Sequence, residues 1–112
     1  MANINELIKI EGILLRIDEM CKFDLTLNDS IKLMVFLDEI GKITDKYFFL
    51  QEEYCKTHNE EELKEYHGKL MSEDIDVNLD KYEEFIDMVV KCLKDEYTLV
   101  HIEKERFWKL KD

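Results

Sequence analysis

Three histidines and three cysteines are the residues of this 112-residue chain best suited to metal or nucleophilic chemistry. Cys55 and His58 stand three apart, His67 follows nine later, and with Cys92 they could in principle surround a zinc ion. A structural zinc site usually shows two closely spaced ligand pairs, and here there is one. A di-iron centre in a helical bundle needs two Glu-x-x-His units. The residues three before His58, His67 and His101 are Cys55, Lys64 and Thr98, so neither unit is present. Nucleophilic catalysis needs a base beside the nucleophile and a third group to orient it, and no local signature supplies that set. A phosphate-binding loop needs clustered glycines, whereas Gly12, Gly41 and Gly68 are isolated. The expectation is therefore a non-enzymatic protein with no metal site, no catalytic residue and no cofactor.

Charge offers the other chemistry. The chain has 27 acidic and 16 basic residues, a formal net charge of −11. A direct nucleic-acid binder needs a basic face, so that class is set aside. The acidity is uneven: residues 57–96 carry thirteen acidic and five basic residues. Such a bias is often only a solvated face that keeps a protein soluble. Read functionally, Glu60, Glu61, Glu62, Glu65, Asp74 and Asp76 form an acidic contact set for another protein with a basic surface. A nucleic-acid-handling protein whose groove is thereby blocked is the sharper version.

The elements that must position these residues are helical. There is no proline, and three glycines leave few breakers. Asn3 with Glu6 opens a first helix, whose stripe of Leu7, Ile10, Leu14, Ile17 and Cys21 predicts an end near Lys22. Thr26 or Asn28 caps a second helix reaching to about Lys56. In it Leu33, Phe36, Ile40, Ile43, Tyr47, Leu50 and Tyr54 step alternately by three and four, a heptad seam. Met34, Leu37 and Phe48 form a second apolar line, which suggests more than one neighbour. The plain expectation for the seam is an intramolecular core. The other reading makes part of it, around Tyr47, Leu50 and Tyr54, a homodimer interface. Gly41 lies within this helix, where it would mark a close crossing or a bend.

Asn59 with Glu62 signals a short helix from Glu60 to about Leu70, and Asp80 with Glu83 caps another to about Lys94. Between them Ile75, Val77 and Leu79 alternate with polar residues, which predicts a short strand. Tyr97 to Ile102, rich in β-branched and aromatic residues, is its expected partner. Glu103 to Asp112, with Phe107, Trp108 and Leu110, would be a docked turn or a tail. The fold class expected is a single mainly α domain. A long central helix packs against N-terminal and C-terminal helices, with a two-stranded β element beside them.

The run Asn-Ile-Asn-Glu-Leu-Ile at residues 3–8, the long helix, Tyr82-Glu83-Glu84-Phe85 opening a later helix and the segment Tyr97–Ile102 occur in a recognisable order. In that order the chain resembles a family of small phage and prophage proteins of low-GC Gram-positive bacteria. The family has no assigned activity, so the resemblance implies a context only: a phage accessory protein in the host cytoplasm. A cytoplasmic location also fits the odd number of widely spaced cysteines, read as reduced thiols, and the lack of a secretory signal pattern at residues 1–6. No apolar run is long enough for a membrane helix. The favoured function is protein–protein interaction through an acidic and aromatic surface. The competing one is a small assembly protein that oligomerises through the seam.

Overall fold

The computed structural model describes residues 2–92 and 98–111, and the side chains among them outside 90–103 and 111. The described residues form α1 (Ile4–Cys21), α2 (Leu27–Cys55), α3 (Glu60–Ser72), α4 (Asp80–Cys92) and α5 (Thr98–Lys111). Three N-termini are set by the side chains read from the sequence. Asn3 Oδ1 accepts from the Glu6 N–H, Thr26 Oγ1 from the Asp29 N–H and Asn59 Oδ1 from the Glu62 N–H. Each satisfies an amide that the helix itself leaves without a partner. Asp80 departs from expectation: it lies inside the first turn of α4, and Asn78 Oδ1 accepts its N–H at 3.0 Å.

No β-strand forms among the described residues, and the expected two-stranded element is corrected here. Ile75 makes one antiparallel bridge, to Ala2, through two backbone hydrogen bonds. The alternation in Asp74–Leu79 reflects burial alone: Val77 is buried, Ile75 and Leu79 half-buried, and Asp74, Asp76 and Asn78 exposed. The segment is an extended link between α3 and α4, with no partner strand among the described residues. Residues 98–102 lie in α5 instead, where tertiary context overrides β propensity; Tyr97 falls outside the described residues. The charged C-terminal stretch is helical too, anchored by the fully buried Phe107.

α1 and α2 form an antiparallel pair. Leu7, Ile10, Ile13, Leu14, Ile17 and Cys21 are buried on one side of α1 and meet Leu33, Phe36 and Ile40 of α2. Glu11 crosses α2 where Gly41 leaves room, since a Cβ there would stand 3.4 Å from Glu11 Oε2. The same carboxylate accepts from Thr44 Oγ1 at 3.1 Å. Thr44 thus takes a buried place on the seam between Ile40 and Tyr47. α4 brings Tyr82, Phe85, Ile86 and Val89 to this core. Phe36 meets Tyr82 and Phe85 edge-on, with centroids 4.8 and 5.3 Å apart. Lys81 Nζ reaches both carboxylate oxygens of Glu39, at 2.8 and 2.7 Å, and ties the start of α4 to α2. α5 packs on α1 and α4.

The second apolar line of α2 finds only part of the expected cover: Leu37 is half-buried, while Met34 and Phe48 are exposed. At 1.5 Å per residue, 29 residues make α2 about 43 Å long. It therefore sets the 50 Å long axis of the molecule. The radius of gyration is 16.1 Å, against about 13 Å for a compact chain of this size. The difference lies in α2 continuing past the end of α1, where α3 is its main neighbour.

Candidate functional site

α3 carries four of the six predicted contact residues. A four-residue connection, 56–59, turns the chain back along α2. The Asn59–Glu62 pair then closes a full capping box, with Glu62 Oε1 accepting from the Asn59 N–H at 3.2 Å and the Glu62 N–H donating to Asn59 Oδ1 at 2.8 Å. Glu62 therefore has a structural task as well as a charge. Glu60, Glu61 and Glu65 are exposed, and Glu61 and Glu65 share the outer face one turn apart. Three glutamates in the first turn also suit the positive end of the helix dipole. Asp74 and Asp76 are exposed on the extended link beyond α3, so the six make a strip along the hairpin rather than one compact cluster.

The inner side of α3 is held in an unusual way. None of its residues is buried; Leu63, Tyr66 and Leu70 are half-buried. Tyr54 stacks on Tyr66 at 4.1 Å and on His58 at 3.6 Å between ring centroids. Further along, Gln51 Nε2 donates to the Tyr47 hydroxyl at 2.9 Å, and that hydroxyl lies 2.6 Å from His67 Nδ1. Gln51 Nε2 also lies against His67 Nδ1. Burial raises the Tyr47 phenol above its ordinary pKa.

Tyr47, Leu50 and Tyr54, the predicted oligomer seam, thus lie on the side of α2 that faces α3 and the start of α1. Tyr47 is buried and the other two half-buried. Leu50 and Tyr47 line a cavity of about 120 Å³ with Ile4, Ile43, Leu70 and Ile75. The Tyr47–Gln51–His67 cluster was missed in the sequence. The only local signal for it is the four-residue step from Tyr47 to Gln51.

The metal-ligand candidates are dispersed. Cys55 is exposed, His58 Nδ1 lies 3.0 Å from the Tyr54 carbonyl, and His67 is engaged with Tyr47. Among the described residues no three His, Cys, Asp or Glu side chains converge as a metal site would require. The Cys92 side chain lies outside them. Cys21 is buried in the α1–α2 core, and burial first, then the Asp24 charge, push its thiol pKa up.

A second surface also escaped the sequence reading. Phe23 (91% exposed), Leu27 (78%), Ile31, Met34 and Val35 stand out at the far end of α2. The four α2 residues step by four, three and one, so they share one side of that helix. Among the described residues, no helix is long and apolar enough to cross a membrane. Compared with known proteins, the chain matches no family model, no curated protein and no solved structure.

Proposed function

We propose that the protein acts by binding another protein, without catalysis, through the acidic outer face of α3. The observation that carries this reading is the state of α3 itself. It buries no residue, it is capped and stacked in place by polar and aromatic contacts, and it turns Glu60, Glu61 and Glu65 to solvent. The partner then presents a basic surface. Complementary charge of this kind chiefly raises the association rate and fades with added salt, as screening shortens to about 10 Å at 0.1 M. A nucleic-acid-handling protein of a bacterial host fits that chemistry, and the resemblance to phage proteins would place the encounter in the host cytoplasm.

The test is affinity capture from a bacterial lysate with the native chain and with a Glu60→Lys, Glu61→Lys, Glu65→Lys variant. Glu62 is kept so that the capping box persists. The reading expects a basic protein recovered by the native chain, lost at high salt and absent with the variant. Recovery of the same protein by the variant would overturn it.

The exposed apolar end of α2 favours a second reading, self-assembly. Phe23, Leu27, Ile31 and Val35 would then be the contact, in place of the seam residues Tyr47, Leu50 and Tyr54. Mass measurement in solution separates the two. An oligomer dispersed by Leu27→Glu with Ile31→Glu, with helicity unchanged, supports assembly, and a monomer at every concentration rejects it.

A further inference from the structure

A groove of about 410 Å³ runs between α1 and α5, lined by Lys9, Gly12, Ile13 and Arg16 on one side and Arg106 and Leu110 on the other. The α1 residues step by three, one and three, so they form one face of that helix. Arg106 and Leu110 lie one turn apart on α5. In a chain of net charge −11, this groove has three cations and no carboxylate among its described lining residues. None of the ion pairs found among the described residues uses Lys9 or Arg16. The floor, Ile13 and Leu110, is apolar. Lys9 and Arg16 stand seven residues and so about 10 Å apart along α1, with the floor between them.

Gly12 keeps the α1 wall of the groove low. A glycine inside a helix costs about 1 kcal/mol relative to alanine. Fold packing does not demand it here, because a Cβ at Gly12 would meet nothing within 4 Å. The space it leaves open is the groove. At Gly41, by contrast, a neighbouring helix occupies the corresponding space.

We propose that this groove binds a small amphipathic anion, a carboxylate or phosphate monoester joined to a short apolar body. Arg16 holds the headgroup by charge-assisted hydrogen bonds, and the body lies over Gly12 against Ile13 and Leu110, toward Lys9 at the other end of the groove. The volume falls in the range of small-molecule sites, about 300–1,000 Å³. It is too small to seat a helix about 10 Å across. A polyanion such as nucleic acid, or an anionic membrane, would meet the net negative charge of the whole molecule. A single headgroup feels the local cations.

Titration calorimetry of the full chain with hexyl phosphate, hexanoate, hexanol and inorganic phosphate tests this, with anionic phosphatidylglycerol vesicles as a further arm. Saturable binding of hexyl phosphate or hexanoate is expected, with a dissociation constant of about 0.1–1 mM for ligands of this size. Hexanol and inorganic phosphate should bind at least about tenfold more weakly, since each lacks one half of the recognition. Gly12→Leu puts a side chain where the apolar body would lie while favouring the helix, and should weaken binding at least about tenfold with helicity retained. Arg16→Gln, on an exposed position, should weaken it about tenfold without touching the floor. The lysine variant of α3 should bind as the native chain does, which keeps this result apart from the proposed docking face. The proposal is overturned by no saturable binding of either amphiphile, by binding that survives Gly12→Leu and Arg16→Gln together, by inorganic phosphate binding equally well, or by vesicles binding where the dispersed amphiphiles do not.

Discussion

The two ends of α2 are held by different physics. At its N-terminal half, Leu33, Phe36 and Ile40 are closed in by α1 and α4, in a core completed by Phe107 of α5. At its C-terminal end α3 is the main neighbour, and that contact is a stack of Tyr54 on Tyr66 and His58, a hydrogen-bonded Tyr47–Gln51–His67 cluster and half-buried leucines. Burying one large apolar side chain is worth roughly 1.5–3 kcal/mol, and α3 fully buries none. The packed end therefore carries the stability, and the hairpin end is available for a surface task. Excess negative charge placed on the packed end would work against the compact state. On α3, whose first turn welcomes it, it costs little.

The largest effect should separate the two ends outright. Phe36→Ala removes a ring packed against Tyr82 and Phe85, and should cost about 3–5 kcal/mol in chemical denaturation. Tyr54→Ala, which removes the stack under α3, should cost only about 1 kcal/mol globally. Equal costs would erase the distinction between the ends.

Alkaline pH should come next. Burial raises the pKa of the Cys21 thiol. The Tyr82 phenol rises through burial and then the nearby Glu39 charge, and the Tyr47 phenol through burial. In each case the folded state keeps its proton longer than the unfolded chain. The stabilisation is therefore complete below the unfolded pKa and is lost as pH rises through the folded one. Denaturation midpoints should hold level to about the ordinary thiol value of 9.0 and fall beyond it, more steeply past the phenol value of 10.0. Cys21→Ala should move the onset toward the phenol value. An onset that stays at 9.0 would remove the thiol from the account.

Cap and hydroxyl changes give smaller, local effects. Asn59→Ala breaks the capping box and should cost about 1 kcal/mol, seen mainly as lost helicity in α3. The two buried phenols should then behave oppositely. Tyr47→Phe loses the contact to His67 and Gln51, at about 0.5–1.5 kcal/mol. The fully buried Tyr82 hydroxyl lies by the Glu39 carboxylate without a well-formed hydrogen bond among the described residues, so Tyr82→Phe should leave the melting temperature unchanged or raise it. A loss at Tyr82 as large as that at Tyr47 would contradict this.

What the sequence disclosed follows from the range of the interactions involved. The first four helices and three of their caps depend on residues three or four apart, so Asn3 and Asn59 could be read directly, and Thr26 as one of two candidates with Asn28. The double role of Glu62 was legible for the same reason. The expected strand fails for a specific reason: a period of two in Ile75, Val77 and Leu79 reports which side is buried and cannot tell an extended link from a paired strand. Residues 98–102 have β-rich composition, yet they belong to a helix anchored by Phe107 nine residues after Thr98. The exposure of the acidic strip was legible in part, because charged residues opposite a half-apolar helix face must meet solvent. The Tyr47–Gln51–His67 cluster and the groove of Lys9, Arg16 and Arg106 were not legible. Each joins residues far apart in the chain, and only the packing of α3 on α2 and of α5 on α1 brings them together.

Native-state hydrogen exchange tests the central division most directly. Amides of α3 should exchange through local opening, with protection well below that of the α1 amides from Ile10 to Ile17, which should open only with the whole molecule. Tyr54→Ala should lower protection in α3 and leave α1 nearly unchanged. Protection in α3 equal to that in α1, falling in step with it in the variant, would show one cooperative unit and contradict the account.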